Sequence, residues 1–304
     1  MTGSFPDGSP VRVPVVVMCG AEEGPTLWVQ GCLHGAETGG AFGIMKVLND
    51  LNLEKLKGTI IALPIANIVA YYGASRNTPI DQENLNRLFP GRQTTFSYRL
   101  ASTLFSNIME IADVVVDLHS GGDRSIVPFY SLVCDVNNQA AEKAIDLAKR
   151  LGTRFIWKSS DDWLKGALFM EITKRGKPAI IVECGGGTID ETQVSIFYSV
   201  LYNSLRHLKM VEGNAPSFQS YQTVTNCHLM YANKGGLFVP TVKAGEIIQP
   251  GGIVGHVYDL YGKVREKIRG PKVSSFIAAI RQGYRAIYSG DFVAECVELG
   301  DEIT

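Results

Sequence analysis

Val29-Gln30-Gly31-Cys32-Leu33-His34-Gly35-Ala36-Glu37 is an apolar run that stops on a histidine, with a glutamate three residues on and helical spacing soon after. Two later stretches share the layout. Val114-Val115-Val116-Asp117-Leu118-His119 and Ala179-Ile180-Ile181-Val182-Glu183 each read as a buried strand that delivers a His or Glu at its carboxyl end. In open α/β sheets, strand ends along one edge converge on a ligand crevice. His34, Glu37, His119 and Glu183, far apart in the chain, are therefore expected to meet.

Outward from these anchors, strands and helices alternate. Residues 11–18 read as a strand whose Pro14 cannot donate to a ladder, which predicts a sheet edge. Gly39 and Gly40 precede a helix marked by Ala41, Ile44, Met45 and Leu48. Residues 58–63 form a short strand closed by Pro64. Residues 71–95 are polar, rich in Asn, Pro and Gly, and predict a long ordered loop. Helical spacing returns at Ala101, Leu104, Phe105 and Ile108, and again at Ala141, Ala144, Ile145 and Ala148. A long helix opens at Asp190, where Gln193 completes the pattern of a capping box. Its buried stripe is Val194, Phe197, Leu201, Leu205 and Leu208. Strands apolar on both faces, alternating with helices, predict an α/β domain with a largely parallel sheet covered by helices.

Near residues 210–217 the helical periodicity stops. Short Gly-, Val- and Ile-rich runs follow, with a weak repeat. Val242-Lys243-Ala244-Gly245 matches Ile280-Arg281-Gln282-Gly283, and at the same offset Gly252 matches Gly290, Val254 matches Phe292 and Gly262 matches Gly300. Paired β half-units of this kind predict a small barrel or sandwich. The expected division is a catalytic domain over 1–212 and a β-rich domain over 213–304.

The bulk numbers narrow the function. The 304 residues are 45% hydrophobic and 19% charged, which predicts a folded chain. A formal net charge of -1 argues against nucleic acid or an anionic membrane as the main partner. No apolar run is long enough to span a bilayer, and the first residues lack the layout of a secretory signal. The six cysteines are scattered without a Cys-x-x-Cys pair, which predicts reduced, mostly buried thiols. The expectation is a soluble cytoplasmic protein.

Two histidines and a carboxylate suit a catalytic zinc ion, which takes three protein ligands and keeps one position open. His34, Glu37 and His119 are the candidates. Each alone is an ordinary feature of a protein surface; their joint placement at strand ends beside glycines is what points to a metal. Glu183 is then free to act as general base. Asp117, two residues before His119 on the same strand face, could accept a hydrogen bond from a ligating ring. Arg76 and Arg87 have two uses in such a site. One can stabilise the oxyanion of an attacked carbonyl; another can hold a substrate carboxylate in a bidentate fork. Asn86 could add a hydrogen bond to that carboxylate. Cys184, set among apolar strand residues beside a glutamate, reads as an inert thiol.

His34-Gly35-Ala36-Glu37, Asn84-Leu85-Asn86-Arg87-Leu88-Phe89-Pro90-Gly91, Asp117-Leu118-His119-Ser120-Gly121 and Val182-Glu183-Cys184-Gly185-Gly186 together resemble the succinylglutamate desuccinylase/aspartoacylase family, a relation of the zinc carboxypeptidases. The motifs follow in order over nearly the whole chain. The resemblance implies a zinc-exopeptidase-like fold with a C-terminal barrel-sandwich-like part. It implies one zinc per chain held by His34, Glu37 and His119, with Glu183 as base and later proton donor. It also implies Arg76 polarising the scissile carbonyl, and Asn86 and Arg87 holding the carboxylate of a small N-acyl amino acid. Ala36 and Asn84 depart from the family's usual residues; an aspartate often stands where Asn84 is.

Two other readings compete. The same groups could serve a zinc carboxypeptidase acting on peptides. The C-terminal repeat also resembles lipoyl or biotinyl carrier domains, with Lys263 near the modified position, although the flanking residues lack the usual context. Assembly into a homo-oligomer is compatible with the sequence.

Overall fold

The structure is a computed structural model, and it describes residues 3–304. Strands β1 (Val16–Cys19), β2 (Glu22–Gln30), β3 (Lys57–Leu63), β4 (Val114–His119), β5 (Ser125–Cys134), β6 (Phe155–Ser159) and β7 (Ala179–Gly185) are interleaved with helices. These are α1 (Gly39–Asp50), α2 (Ile68–Tyr72), α3 (Phe96–Ile111), α4 (Gln139–Ala148), α5 (Leu168–Lys174) and α6 (Glu191–His207). Only strands follow: β8 (Tyr221–Tyr231), β9 (Gly236–Pro240), β10 (Ile247–Ile248), β11 (Ile253–Tyr258), β12 (Val264–Arg269), β13 (Ser275–Arg281), β14 (Arg285–Ile287) and β15 (Phe292–Ile303).

One 11-stranded sheet runs in the order β1-β3-β2-β4-β7-β5-β6-β8-β15-β13-β10. Its centre, β3-β2-β4-β7, is parallel, while β5 lies antiparallel to β7. The fold is thus mixed α/β, with a large central sheet that is parallel in its middle and antiparallel toward its C-terminal strands.

The Val- and Ile-rich strands are buried on both faces because alternate side chains enter two separate layers. Trp28, Ile61, Leu63, Val115 and Ile181 pack with Leu100, Leu104 and Ile108 of α3 and with Phe169 and Ile172 of α5. Their neighbours Val29, Ile60, Val116, Ile180 and Val182 pack with Ile44 and Val47 of α1, Leu147 of α4, and Phe197 and Leu201 of α6. Gly40 lets the start of α1 lie on β4: a Cβ there would fall 2.6 Å from Leu118 Cβ. No described helix is long and apolar enough to cross a membrane.

The structure departs from the local expectations in two places. The first strand begins only at Val16, just after Pro14, and forms the sheet edge beside β3. At α6, Asp190 Oδ1 accepts from the Gln193 backbone N–H at 3.0 Å, as a cap should. The Gln193 side chain does not reach back to complete a box. Its Oε1 accepts from Gly186 N–H instead, and its Nε2 donates to the Thr188 carbonyl. The stretch 71–95 is the expected long ordered loop, with one short turn of helix at Leu85–Arg87, and Asp81 ties it to α3 by accepting from Ser97 N–H and Oγ.

The compositional change at 210–217 falls between the end of α6 and the start of β8. The strands beyond it do not form a detached unit. β8 pairs with β6, and β13 pairs with β5 at Ile280↔Ile126 and Arg281↔Ser125. β13 is buried on both faces. Phe276 stacks on Phe155 at 4.3 Å and meets Tyr130 edge-on at 6.1 Å, while Ile277 and Ile280 face a second core with Phe238, Val254, Val257 and Ile287. That core lies under a four-stranded sheet, β12-β11-β9-β14. The sequence repeat is visible as a turn, a short strand, a glycine turn and a longer strand. It runs once through β10 and β11 and once through β14 and β15.

Candidate active site

Adjacent strand ends carry the site. Gln30 of β2 lies level with Asp117 of β4, and His119 of β4 lies level with Glu183 of β7. Glu183 is in turn level with Tyr130 of β5. Equivalent register across a sheet puts side chains on one face, so His119, Glu183 and Tyr130 form a row. The loop after β2 supplies His34 and Glu37. It is held tightly there: a Cβ on Gly35 would fall 2.0 Å from the Ala70 carbonyl oxygen.

His34, Glu37 and His119 are each buried to within 3% of full enclosure, and one donor atom from each lies within 4.8 Å of the others. The two imidazoles approach the carboxylate from opposite oxygens. His34 Nδ1 is 2.8 Å from Glu37 Oε1, and His119 Nδ1 is 2.9 Å from Oε2. Each far nitrogen is backed by an oxygen. Asn84 Oδ1 is hydrogen-bonded to His34 Nε2 at 2.9 Å, and Asp117 Oδ2 lies 3.0 Å from His119 Nε2, an ion-pair contact without hydrogen-bond alignment. Backing of this kind turns both Nδ1 atoms toward the carboxylate, the arrangement that histidine ligands show around a metal. Behind Asp117, Gln30 Nε2 donates to its Oδ1 at 3.1 Å, and Trp28 Nε1 donates to Gln30 Oε1 at 3.0 Å.

The charges are coupled. Burial opposes ionisation of Glu37, but His34 and His119 outweigh it and hold the carboxyl well below its usual range. Burial, then the Arg76 guanidinium, lowers His34 to about 4. Burial also works against a charged His119, yet Asp117 and Glu37 overcome it and raise that imidazole well above its ordinary value. The buried Glu37 carboxylate thus favours positive charge beside it, and Arg76 Nη1 lies 3.1 Å from its Oε1. Two imidazole nitrogens and a carboxylate converging where cationic charge is already drawn fit a divalent ion of the zinc type.

Glu183 stands beside this cluster. Its Oε2 is sealed from solvent with no hydrogen-bond partner among the described residues. Desolvation raises its pKa to about 8, against the pull of His119. A nearby dication would draw that value back toward neutrality.

The sequence-designated residues Arg76, Asn86, Arg87, His34, His119 and Glu183 all line one inner cleft of about 70 Å³. Glu37 and Arg76 line an adjoining outer cavity of about 280 Å³. A larger apolar groove of about 570 Å³ along Val13, Val15, Val17 and Trp28 shares no residue with either. Asn86 has a task that was not anticipated: its Oδ1 accepts from Leu168 N–H at the start of α5, at 2.9 Å. That leaves its Nδ2 as the donor side. Arg87 lies over the Trp163 ring at 5.1 Å and donates to the Asn86 carbonyl at 2.6 Å. Burial, then Arg76, lowers it to about 10, so it stays cationic. Asp117 is fully buried against His119. Cys184 is also buried, and burial pushes its thiol up to about 12.

Tyr130, Trp163 and Glu295 carry no site signal in the sequence, and Asn84 stands out there only as a departure from the family's usual aspartate. Gln30 could have been found as a polar residue inside an otherwise apolar strand. Replacing Asn84 by alanine removes the oxygen behind His34 Nε2. Metal affinity is expected to fall about 10–100-fold, read by competition against a chelator of known affinity. An unchanged affinity would mean that the loop alone fixes the ring.

A model of the succinylglutamate desuccinylase/aspartoacylase catalytic domain matches residues 23–208. The chain is 26% identical over 301 residues to an N-alpha-acetyl-L-2,4-diaminobutyric acid deacetylase of Halomonas elongata, spanning 96% of this chain and 87% of that protein. Its fold is similar to the product-bound ectoine utilization protein EutE (DoeB) from Ruegeria pomeroyi, with a TM-score of 0.88 at 24% identity, covering 97% of this chain and 92% of that one. It is also similar to an aspartoacylase family protein from Mesorhizobium loti, with a TM-score of 0.81 at 25% identity, covering 98% and 92%.

Proposed function

Because the chain belongs to the succinylglutamate desuccinylase/aspartoacylase family, we propose that it is a zinc-dependent amidohydrolase that cleaves an N-acyl amino acid into a carboxylic acid and a free amino acid. The observation that carries this reading is the convergence of His34 Nδ1 and His119 Nδ1 on the Glu37 carboxylate beside an unpartnered Glu183 carboxyl. The likeness to a deacetylase of an N-acetylated amino acid supports the substrate class.

His34, Glu37 and His119 would hold the ion, with Asn84 and Asp117 orienting the two rings. When bound, zinc acidifies a water and polarises a carbonyl. The chain's own residues do the rest. Glu183 takes the proton from the attacking water and passes it to the amine as the amide C–N bond breaks. Desolvation raises its proton affinity, and a cation held by the cluster would bring it back to the neutral range in which it can accept a proton. Arg76, at the junction of the two cavities, aims cationic N–H donors at the oxygen on which charge develops. Arg87 and the Nδ2 group of Asn86 clamp the substrate carboxylate, and Trp163 braces the guanidinium from behind.

Arg87→Ala removes a charge-assisted contact made equally to substrate and transition state. KM for a carboxylate-bearing substrate is expected to rise about tenfold or more, with kcat nearly kept. An unchanged KM would reject the clamp. The reading as a whole is tested with purified, zinc-supplied protein on a panel of N-acyl amino acids and short peptides. Faster turnover of the N-acyl amino acids is expected, and faster turnover of peptides would replace this reading with a carboxypeptidase.

A further inference from the structure

We infer that Glu295 is the residue that sets the amino-acid preference of this site, its carboxylate receiving the ammonium at the end of the side chain of an N-acyl diamino acid, the kind of substrate for which the Halomonas deacetylase is named. The inference rests on the hydrolase reading above and adds to it which amino acid the site prefers.

Glu295 comes from β15, level with Ala279 of β13 and Leu229 of β8. Because β13 is clamped between two cores and paired to β5, the strand that carries Glu295 is fixed relative to the catalytic sheet. It is the one ionisable side chain from beyond residue 213 that lines the inner cleft among the described residues, and it also lines the outer cavity. Glu295, Arg76, Gly121 and Ser125 are common to both spaces, which places the carboxylate where the two meet.

No hydrogen bond or ion pair engages the Glu295 carboxylate among the described residues. Burial raises its pKa, and Arg76 and Arg87 counter this from a distance. Neither arginine is spent on it. Arg76 contacts Glu37, and Arg87 contacts the Asn86 carbonyl and Trp163. The outer cavity's Arg281 is likewise occupied, by Asp291 at 3.3 Å and the Phe292 carbonyl at 3.1 Å, while Arg124, which also lines that cavity, makes no ion pair with Glu295. A half-enclosed carboxylate without a partner is costly, and a cation that supplies N–H donors relieves the cost.

The site therefore presents two opposite features to a substrate. Arg87 and Asn86 suit its carboxylate, and Glu295 suits a positive group. An N-acyl amino acid with a second, free amine carries both charges. A neutral side chain would leave Glu295 desolvated and unpaired. An acidic side chain would bring like charges together, which discriminates by repulsion.

The test is steady-state kinetics of the zinc-loaded protein on matched pairs. Nα-acetyl-2,4-diaminobutyrate is compared with Nα-acetylnorvaline, Nα-acetylornithine with Nα-acetylnorleucine, and both sets with Nα-acetylaspartate and Nα-acetylglutamate. Wild type is expected to favour the cationic member of each pair by about 10–100-fold in kcat/KM, the worth of a charge-assisted hydrogen bond. Glu295→Gln, which keeps the shape, should bring the cationic-to-neutral ratio near one, mainly through KM. Glu295→Asp should restore part of the preference. Equal or faster turnover of the neutral or acidic compounds by wild type would overturn the inference alone. So would a Glu295→Gln variant that lowers every substrate by the same factor, since that is the mark of a structural role. No turnover of any compound would overturn the hydrolase reading, and this inference with it.

Discussion

Glu183→Gln is expected to lower turnover by about 10²–10⁴-fold while leaving zinc bound at one ion per chain. Glutamine occupies the same volume, so the row of His119, Glu183 and Tyr130 across β4, β7 and β5 should keep its packing. What is lost is a proton acceptor whose desolvation raises it to about 8. Substrate affinity should change little, because the carboxylate clamp at Arg87 is a separate group on a separate segment. Metal analysis and kinetics on one preparation decide the matter. If the metal left with the carboxylate, Glu183 would be a ligand and another base would be needed. If turnover survived within a few-fold, Glu183 would not be the base.

His119→Ala is expected to remove both zinc and activity. It deletes one of three donors, and it also removes the group that stands between Asp117 and Glu37, two carboxylates that are 0% and 3% exposed. In the metal-free protein those charges would then lie buried without their shared partner, a loss on the order of 3–5 kcal/mol. A lower melting temperature alone would therefore be ambiguous. Glu37→Gln separates the two effects, since it weakens metal binding while removing one of the buried charges. Mass-spectrometric metal content is measured for wild type, His119→Ala and Glu37→Gln side by side. One zinc per wild-type chain, lost in both variants, supports the site. No metal in wild type after zinc is supplied would sink the mechanism.

Much of this arrangement was legible along the chain. The three apolar runs ending in His34, His119 and Glu183 announce parallel strands because a strand buried on both faces cannot afford polar residues except at its ends. Asp117 was legible for a similar reason: side chains two residues apart on a strand share a face, and it lies 3.0 Å from His119. Asn84 was read as a departure from the family's usual aspartate, and the structure gives it the position behind His34 Nε2. Asn86 shows the limit of reading by type. Its amide suits a substrate carboxylate, but one of its two polar atoms caps α5, and only the approach of Leu168 reveals that.

Strand periodicity, cap and glycine signals, and the residue types able to bind a metal are local properties, so the sequence by itself determined the α/β class, the change to β structure after residue 210, and the identity of the candidate ligands. Register and long-range pairing are not local. Nothing in the alternation of β15 marks Glu295 for the site, and nothing in β2 marks Gln30 as the support of Asp117. Those assignments depend on which strands become neighbours. For Gln30 that is the parallel pairing of β2 with β4; for Glu295 it is how the two faces of β13 are buried at once, by Phe276 against Phe155 and Tyr130 on one side and by Ile277 and Ile280 against the C-terminal core on the other. Tertiary packing alone decided that a carboxylate from the last strand would face the arginines of the first half of the chain.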